Sequence, residues 1–346
     1  MPDARDLLAW YDRARRAMPW RARPGVAADP YHVWLSEIML QQTTVVAVIP
    51  YYEKFLTRFP TVRALADAES EAVMQAWAGL GYYARARNLH ACAKAVVALG
   101  GFPTTLGGLQ ELPGIGPYTA AAVGAIAFGI PVVPIDGNVE RVTSRVFGIG
   151  EPLPGSKAAI AAGAATLGSD PAARARPSDF AQALFDLGAT LCTPTSPACA
   201  ICPWTADCVG RRAGIAAELP RKAPKKARPI RHGVHFWLAD PYGRVLLRTR
   251  PPRGLLGGMA ELPGTLWRAE PWADDEALVH APMVAEWRRV GEISHGLTHF
   301  ELRIQVMVAR VSEIEAEGFL CGLNALQEAA LPSVMRKCVA LALACV

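Results

Sequence analysis

Leu112-Pro113-Gly114-Ile115-Gly116-Pro117-Tyr118-Thr119-Ala120 has the form of a helix–hairpin–helix turn. Two glycines one residue apart permit a tight turn and close backbone approach. The helix that follows opens with free N–H groups, a ready site for a phosphate oxygen. Gly114 and Gly116 are therefore candidate nucleic-acid contacts, although a Gly-x-Gly alone is common in ordinary turns. The setting adds weight. An Ala-rich helix follows, then the Pro-broken loop Ile130 to Ile135, then Asp136-Gly137-Asn138-Val139. Asp136 stands just before a further predicted helix, where its minimal role is an N-cap.

Outward from this stretch, residues 1 to about 219 read as helix after helix. Ala- and Leu-rich segments such as Val33 to Phe59, Glu69 to Trp77, Ala84 to Leu99, Tyr118 to Phe128, Val139 to Phe147 and Phe180 to Leu191 are separated by Pro and Gly. Arg221 to Arg231, RKAPKKARPIR, holds six Lys or Arg, two Pro and no acid. It cannot bury a core, so 220–231 reads as a basic linker, either a plain solvated spacer or a strap for phosphates. Beyond it, HGVHFWLAD, GRVLLRTR and HFELRIQVMVARV show strand-like alternation, and helical sequence closes the chain from about Leu323. The expected architecture is thus multidomain: all-α over 1–219, then α+β over 232–346.

Composition fits this division. The chain has 346 residues, 51% hydrophobic and 19% charged, and a net charge of +5. These values describe a globular chain and permit nucleic-acid binding without requiring it. The longest uncharged run, Leu112 to Ile135, is broken by four prolines, so no membrane span is expected there. The N-terminus is charged from Asp3 onward and lacks a signal-peptide core. Four of the eight cysteines, Cys192, Cys199, Cys202 and Cys208, fall within seventeen residues. Exported disulfide scaffolds do not cluster in this way, so a cytoplasmic location is expected. Cys92, Cys321, Cys338 and Cys345 are scattered in apolar contexts and read as buried small hydrophobes. Four thiolates at 6-2-5 spacing suit an iron–sulfur cluster or a zinc site of four cysteines.

These motifs, with Ser36-Glu37-Ile38-Met39-Leu40-Gln41-Gln42-Thr43 and Gly79-Leu80-Gly81-Tyr82-Tyr83-Ala84-Arg85-Ala86-Arg87-Asn88-Leu89, occur in one family's order. Together they resemble the A/G-specific adenine DNA glycosylases of the endonuclease III superfamily across essentially the whole chain. The resemblance implies a [4Fe–4S] cluster on the four cysteines rather than zinc. It implies base-excision repair, with hydrolysis of the N-glycosidic bond of adenine opposite 8-oxoguanine or guanine in double-stranded DNA. It makes Glu37 the general acid and Asp136 the stabiliser of the oxocarbenium-like sugar. Two carboxyls in different environments can hold those two protonation states at once.

Bifunctional members of the superfamily carry a lysine at the place of Tyr118, which attacks the sugar through a Schiff base. No lysine lies between Lys94 and Lys157, so strand cleavage of that kind is not expected. Tyr118 and Asn138 are then expected to organise Asp136 and the sugar, unless Tyr118 simply packs at the hairpin. By the same resemblance Arg16, Trp20 and Gln182 line an adenine pocket, and Gln42 and Tyr82 enter the base stack when adenine is flipped out. From sequence alone Arg16, Trp20 and Gln182 are equally a surface cation, a core aromatic and a helix polar residue.

Gly254 to Gly264 resembles the approach to a Nudix box. Leu278, Val279 and His280 stand where its acids should be, so metal-dependent pyrophosphate hydrolysis is not expected. A degenerate Nudix-like domain is what this family uses to read 8-oxoguanine. Its aromatic-Ser-His triplet is replaced here by Leu297-Thr298-His299; Thr298 and His299 keep groups able to hydrogen-bond a base edge. The resemblance further implies a monomer without membrane association, on the nucleoid if the source is bacterial. Two other readings remain at this point: an endonuclease III-like enzyme for damaged pyrimidines, and a non-catalytic cluster protein that only binds DNA.

Overall fold

The computed structural model describes residues 1–224, 227–251, 254–297, 299–327, 329 and 331–345. The chain divides into two compact units, Met1–Pro224 and Lys225–Val346.

The first unit is helical. Its chain runs through α1 (Ala4–Ala14), α2 (Pro30–Leu40), α3 (Val45–Arg58), α4 (Val62–Ala66), α5 (Ser70–Trp77) and α6 (Ala84–Ala98). The hairpin lies between α7 (Leu106–Gln110) and α8 (Pro117–Phe128). There follow α9 (Gly137–Phe147), α10 (Lys157–Gly168), α11 (Pro171–Ala175), α12 (Pro177–Thr190) and the short α13 (Val209–Arg212). Local signals start and stop these helices. Asp29, Thr44, Thr61 and Asp136 cap N-termini with their side chains, and Gly129 and Gly148 close α8 and α9 in the left-handed region.

Around α8 the helices form two groups. It packs against α2 on one side and α12 on the other. Residues Thr119 to Ala125 are buried and small apart from Val123, which lets both neighbours approach closely. Trp34, Phe55 and Trp77 are fully buried in the first unit, Phe55 edge-on to Trp77, and Tyr11, Val142, Leu184 and Trp204 share a core. Each such side chain contributes about 1.5–3 kcal/mol by burial.

One expected helix is two. The apolar run Val33 to Phe59 breaks at Gln41–Thr44, where Gln42 takes φ +58° and the Thr44 hydroxyl accepts from Ala47 N–H at 3.4 Å. Hydrophobic periodicity continues through the break because both helices face the same core, so the pattern carries no sign of it.

The second unit holds β1 (Ile230–Ala239), β2 (Arg244–Thr249), β3 (Ala260–Glu261), β4 (Arg288–Gly296), β5 (Glu301–Arg310) and β6 (Phe319–Gly322). The order is β3-β2-β1-β5-β4, with β6 on β2; β1 and β5 run parallel and the other pairs antiparallel. Helix α14 (Asp274–Leu278) lies between β3 and β4, and α15 (Ser333–Leu343) packs on β1, β4 and β5. From Gly233 to Ala239, β1 is buried on both faces because it is a central strand, so alternation fades there. The closing helix begins at Ser333, ten residues later than its sequence suggests, after Pro332. Within 220–231, Lys222 bridges to Leu153 and β1 begins at Ile230; residues 225 and 226 of that segment lie outside the described residues.

Candidate active site

One cavity of about 340 Å3 is walled by α2, α8, α12 and the start of α9. It gathers Glu37, Tyr118, Asp136, Asn138, Arg16, Trp20, Gln182 and Gln42, residues that the sequence scatters over about half the chain.

Glu37 is carried on α2 and is only 8% exposed. The Tyr118 hydroxyl, at the start of α8, donates to its Oε2 at 2.8 Å. Burial pushes the Glu37 pKa up to about 7; the Tyr118 hydrogen bond opposes that rise and the Asp136 carboxylate reinforces it. Glu37 is therefore a carboxyl able to hold a proton near neutrality.

Asp136 does cap α9, its Oδ1 accepting from Val139 N–H at 2.8 Å. Its Oδ2 accepts from the Asn138 side-chain amide at 2.8 Å. Burial holds its pKa above the ordinary carboxylate value, and these donors limit the rise without cancelling it. Two N–H donors on one carboxylate favour the anion. Asn138 is oriented in turn by Arg141, which donates to Asn138 Oδ1 at 2.8 Å and to the Gly188 and Cys192 carbonyls. The two acids thus differ in surroundings as a divided acid and stabiliser require.

Toward the other wall, Trp20 is buried and stands edge-on to Tyr52 at a centroid separation of 5.3 Å. Gln182 is held through Nε2 by Ser178. Arg16 donates from Nε to Asp186 Oδ1 at 2.6 Å, and Arg21 grips both Asp186 oxygens at 2.7 and 2.9 Å. Burial disfavours the Asp186 anion, yet Arg21 and Arg16 hold its pKa below the ordinary range. Arg21, Asp186 and Arg141 escape the sequence reading. An acid inside the apolar run Phe180 to Leu191 is the one signal that could have found Asp186, because a buried carboxylate needs a partner.

Gln42 and Tyr82 both occupy the left-handed region, at φ +58° and +50°, and Tyr82 is 57% exposed. Non-glycine residues held there cost about 1–3 kcal/mol each and cluster at functional sites. Gly114 also has positive φ, +75°, and a Cβ on it would meet Asn88 Cβ at 2.7 Å. Gly116 needs no such freedom: it N-caps α8 at φ −88°, with open space where a Cβ would be.

Cys192, Cys199, Cys202 and Cys208 line a second cavity with Arg145. Arg145 is 1% exposed; it donates to Cys192 Sγ at 3.3 Å and to the Thr193, Pro194 and Leu219 carbonyls. Burial raises the Cys202 thiol to about 11 and the Cys192 thiol as well, the latter opposed by Arg145. Among the described residues, no three His, Cys, Asp or Glu side chains form a group that could hold a metal ion. Cys92, Cys321 and Cys338 are buried and Cys345 half-buried.

In the second unit, His299 is exposed in the turn from β4 to β5, where Leu297 N–H donates to Phe300 O at 2.9 Å. Thr298 lies outside the described residues.

Residues 35–161 match the model of the HhH-GPD superfamily base excision DNA repair proteins, and residues 234–341 match the NUDIX domain. Over 87% of its length the chain is 37% identical to human adenine DNA glycosylase, spanning 65% of that protein. It is 35% identical to the rat adenine DNA glycosylase, again over 87% of this chain and across 69% of that protein. Among solved structures, a thermostable thymine-DNA glycosylase is similar at TM-score 0.53 and 30% identity, covering 61% of this chain and 95% of that one. The chain belongs to the adenine DNA glycosylase family, built on the helix–hairpin–helix scaffold of base-excision repair proteins with a Nudix-like second domain.

Proposed function

We propose that this chain hydrolyses the N-glycosidic bond of adenine mispaired with 8-oxoguanine or guanine in duplex DNA. The observation that carries the reading is the pair of unlike carboxyls on one cavity: Glu37, with a pKa near 7, and Asp136, held by two N–H donors. Adenine leaves as a poor anion unless it is protonated, and the sugar it leaves becomes cationic. Glu37 delivers the proton to the base as the glycosidic bond breaks; Asp136 stabilises the cation at the sugar until water adds there and gives up a proton to the Glu37 carboxylate. Tyr118 holds the Glu37 carboxyl, and Asn138, itself held by Arg141, holds Asp136. Arg16, Trp20 and Gln182 accept the flipped base.

The reaction ends at the abasic site. No lysine is among the described residues that line the cavity, which leaves the Schiff-base route without its amine. The backbone at Gly114 and the open N-terminus of α8 at Gly116 take a phosphate. His299 and Thr298 read the oxidised base opposite.

The four cysteines would hold a [4Fe–4S] cluster. Thiolate sulfur is the ligand such clusters take, and Arg145, which donates to Cys192 Sγ, offsets the negative charge of thiolates. When bound, the cluster supplies iron–thiolate bonds that cross-link the loop carrying Cys192, whose carbonyl anchors Arg141. Incubation with duplexes containing adenine opposite 8-oxoguanine, adenine opposite guanine, or oxidised pyrimidines tests the whole reading. Free adenine and breaks that appear only after hot alkali are expected; breaks without alkali, or release of pyrimidines alone, would refute it.

A further inference from the structure

We infer that Arg85 is a positioning residue that couples Gln42 to Tyr82, so that both wedge residues enter the DNA stack as one body. The inference rests on the reading above that these two side chains insert into the duplex. They are forty residues apart in the chain, and each sits on its own loop. One guanidinium bonds both loops. From Nη1, Arg85 donates to the carbonyls of Ile38, Met39 and Gln41 at 2.8, 3.1 and 2.7 Å. From Nη2 it donates to those of Leu80 and Gly81 at 3.1 and 3.4 Å. The last carbonyl in each set belongs to the residue just before a wedge: Gln41 before Gln42, Gly81 before Tyr82.

Ile38, Met39 and Gln41 sit at the end of α2, where helical carbonyls lack intrahelical partners and favour a cation. Arg85 therefore closes the helix that carries Glu37 and, with the same plane, fixes the turn that carries Tyr82. The guanidinium carbon stands 5.3 Å from the Trp77 ring centre and 5.5 Å from that of Tyr82. Trp77 donates in turn to the Gly81 carbonyl at 3.1 Å. Both wedges are non-glycine residues at positive φ, a conformation that lasts only where the surroundings enforce it. All five acceptors of Arg85 are main-chain carbonyls, so what it fixes is backbone position. Lysine offers three donors from one atom and no plane, and cannot span two loops in this way.

The test is a double-mutant cycle on the full chain. Base extrusion is followed by stopped-flow fluorescence of 2-aminopurine placed opposite 8-oxoguanine, for Gln42→Ala, Tyr82→Ala and the pair together. With Arg85 present, the paired change is expected to depart from the product of the single effects by roughly threefold or more. In the Arg85→Lys background the effects should multiply. No coupling with Arg85 present, or the same coupling with Lys, would overturn the inference. Amide exchange on the DNA-free protein gives a reading that needs no activity: Arg85→Lys should speed exchange at 41–44 and 79–82 together, leaving α9 and α12 unchanged. Loosening of one loop alone would overturn the coupling. A wild-type chain that extrudes no base from any duplex, yet shows the paired exchange, would instead locate the failure in the proposed function.

Discussion

Glu37→Gln removes a titrating group while keeping its shape and an acceptor for the Tyr118 hydroxyl. In the folded chain the Glu37 pKa stands at about 7, raised chiefly by burial from 4.5. Between those values the folded state holds a proton that the unfolded state has released. Wild-type stability therefore falls as pH rises through that window and levels off above it. At 1.36 kcal/mol per unit the displacement corresponds to about 3 kcal/mol. Gln cannot ionise, so the variant escapes this loss. At pH 8 it should be more stable than wild type by up to about 3 kcal/mol, or roughly 6–12 °C in Tm for a domain of this size. At pH 5 the gap should shrink to within about 1 kcal/mol. Urea titrations of both full-length proteins at the two pH values, followed by far-ultraviolet circular dichroism, measure it. A variant no more stable than wild type at pH 8, or a gap that does not change with pH, would refute the claim that Glu37 is ionised against its surroundings.

The same group should set the alkaline limb of catalysis: single-turnover adenine release is expected to fall as pH rises past about 7. Tyr118→Phe removes a hydrogen bond that favours the anion, so the limb should move upward by about one pH unit; a downward move would refute the assignment. Asp136→Asn should lower the release rate at least about a hundredfold while mismatch binding, measured by gel shift, stays within a few-fold. Release at close to the wild-type rate would show that Asp136 is only the cap of α9. Purified full-length protein should carry about four iron atoms and negligible zinc; one zinc and no iron by metal analysis would overturn the cluster.

What the sequence makes legible follows from how local each signal is. The hairpin glycines, the Asp136 cap and the cysteine spacing each work within a few residues, and one cavity then collects the acids, Tyr118 and the expected pocket residues. Strand β4 is hard to read because its residues are only exposed or half-buried, so no apolar alternation announces it. The break at Gln42 is hidden for the opposite reason, apolar residues continuing on both sides of it. The reading of Thr298 and His299 rests on resemblance alone, since His299 lies in an exposed turn that has no periodicity to betray a role.

The charged groups form the sharper boundary. Arg21, Arg141 and Arg85 carry no signal of their own in the sequence, and each of them, like Asp186, is defined by a partner that the chain supplies from far away. Asp186 is an acid buried between two arginines over 160 residues distant; Arg85 acts on carbonyls more than 40 residues before it. None of these four performs the proposed chemistry. They fix other groups: Arg141 holds Asn138 beside Asp136, Asp186 holds Arg16 and Arg21 on the cavity wall, and Arg85 bonds the loops before Gln42 and Tyr82. Residues that react can be recognised by type and local context, because the reaction demands a carboxyl or a phenol. Residues that position need only reach, and reach is a property of the folded chain.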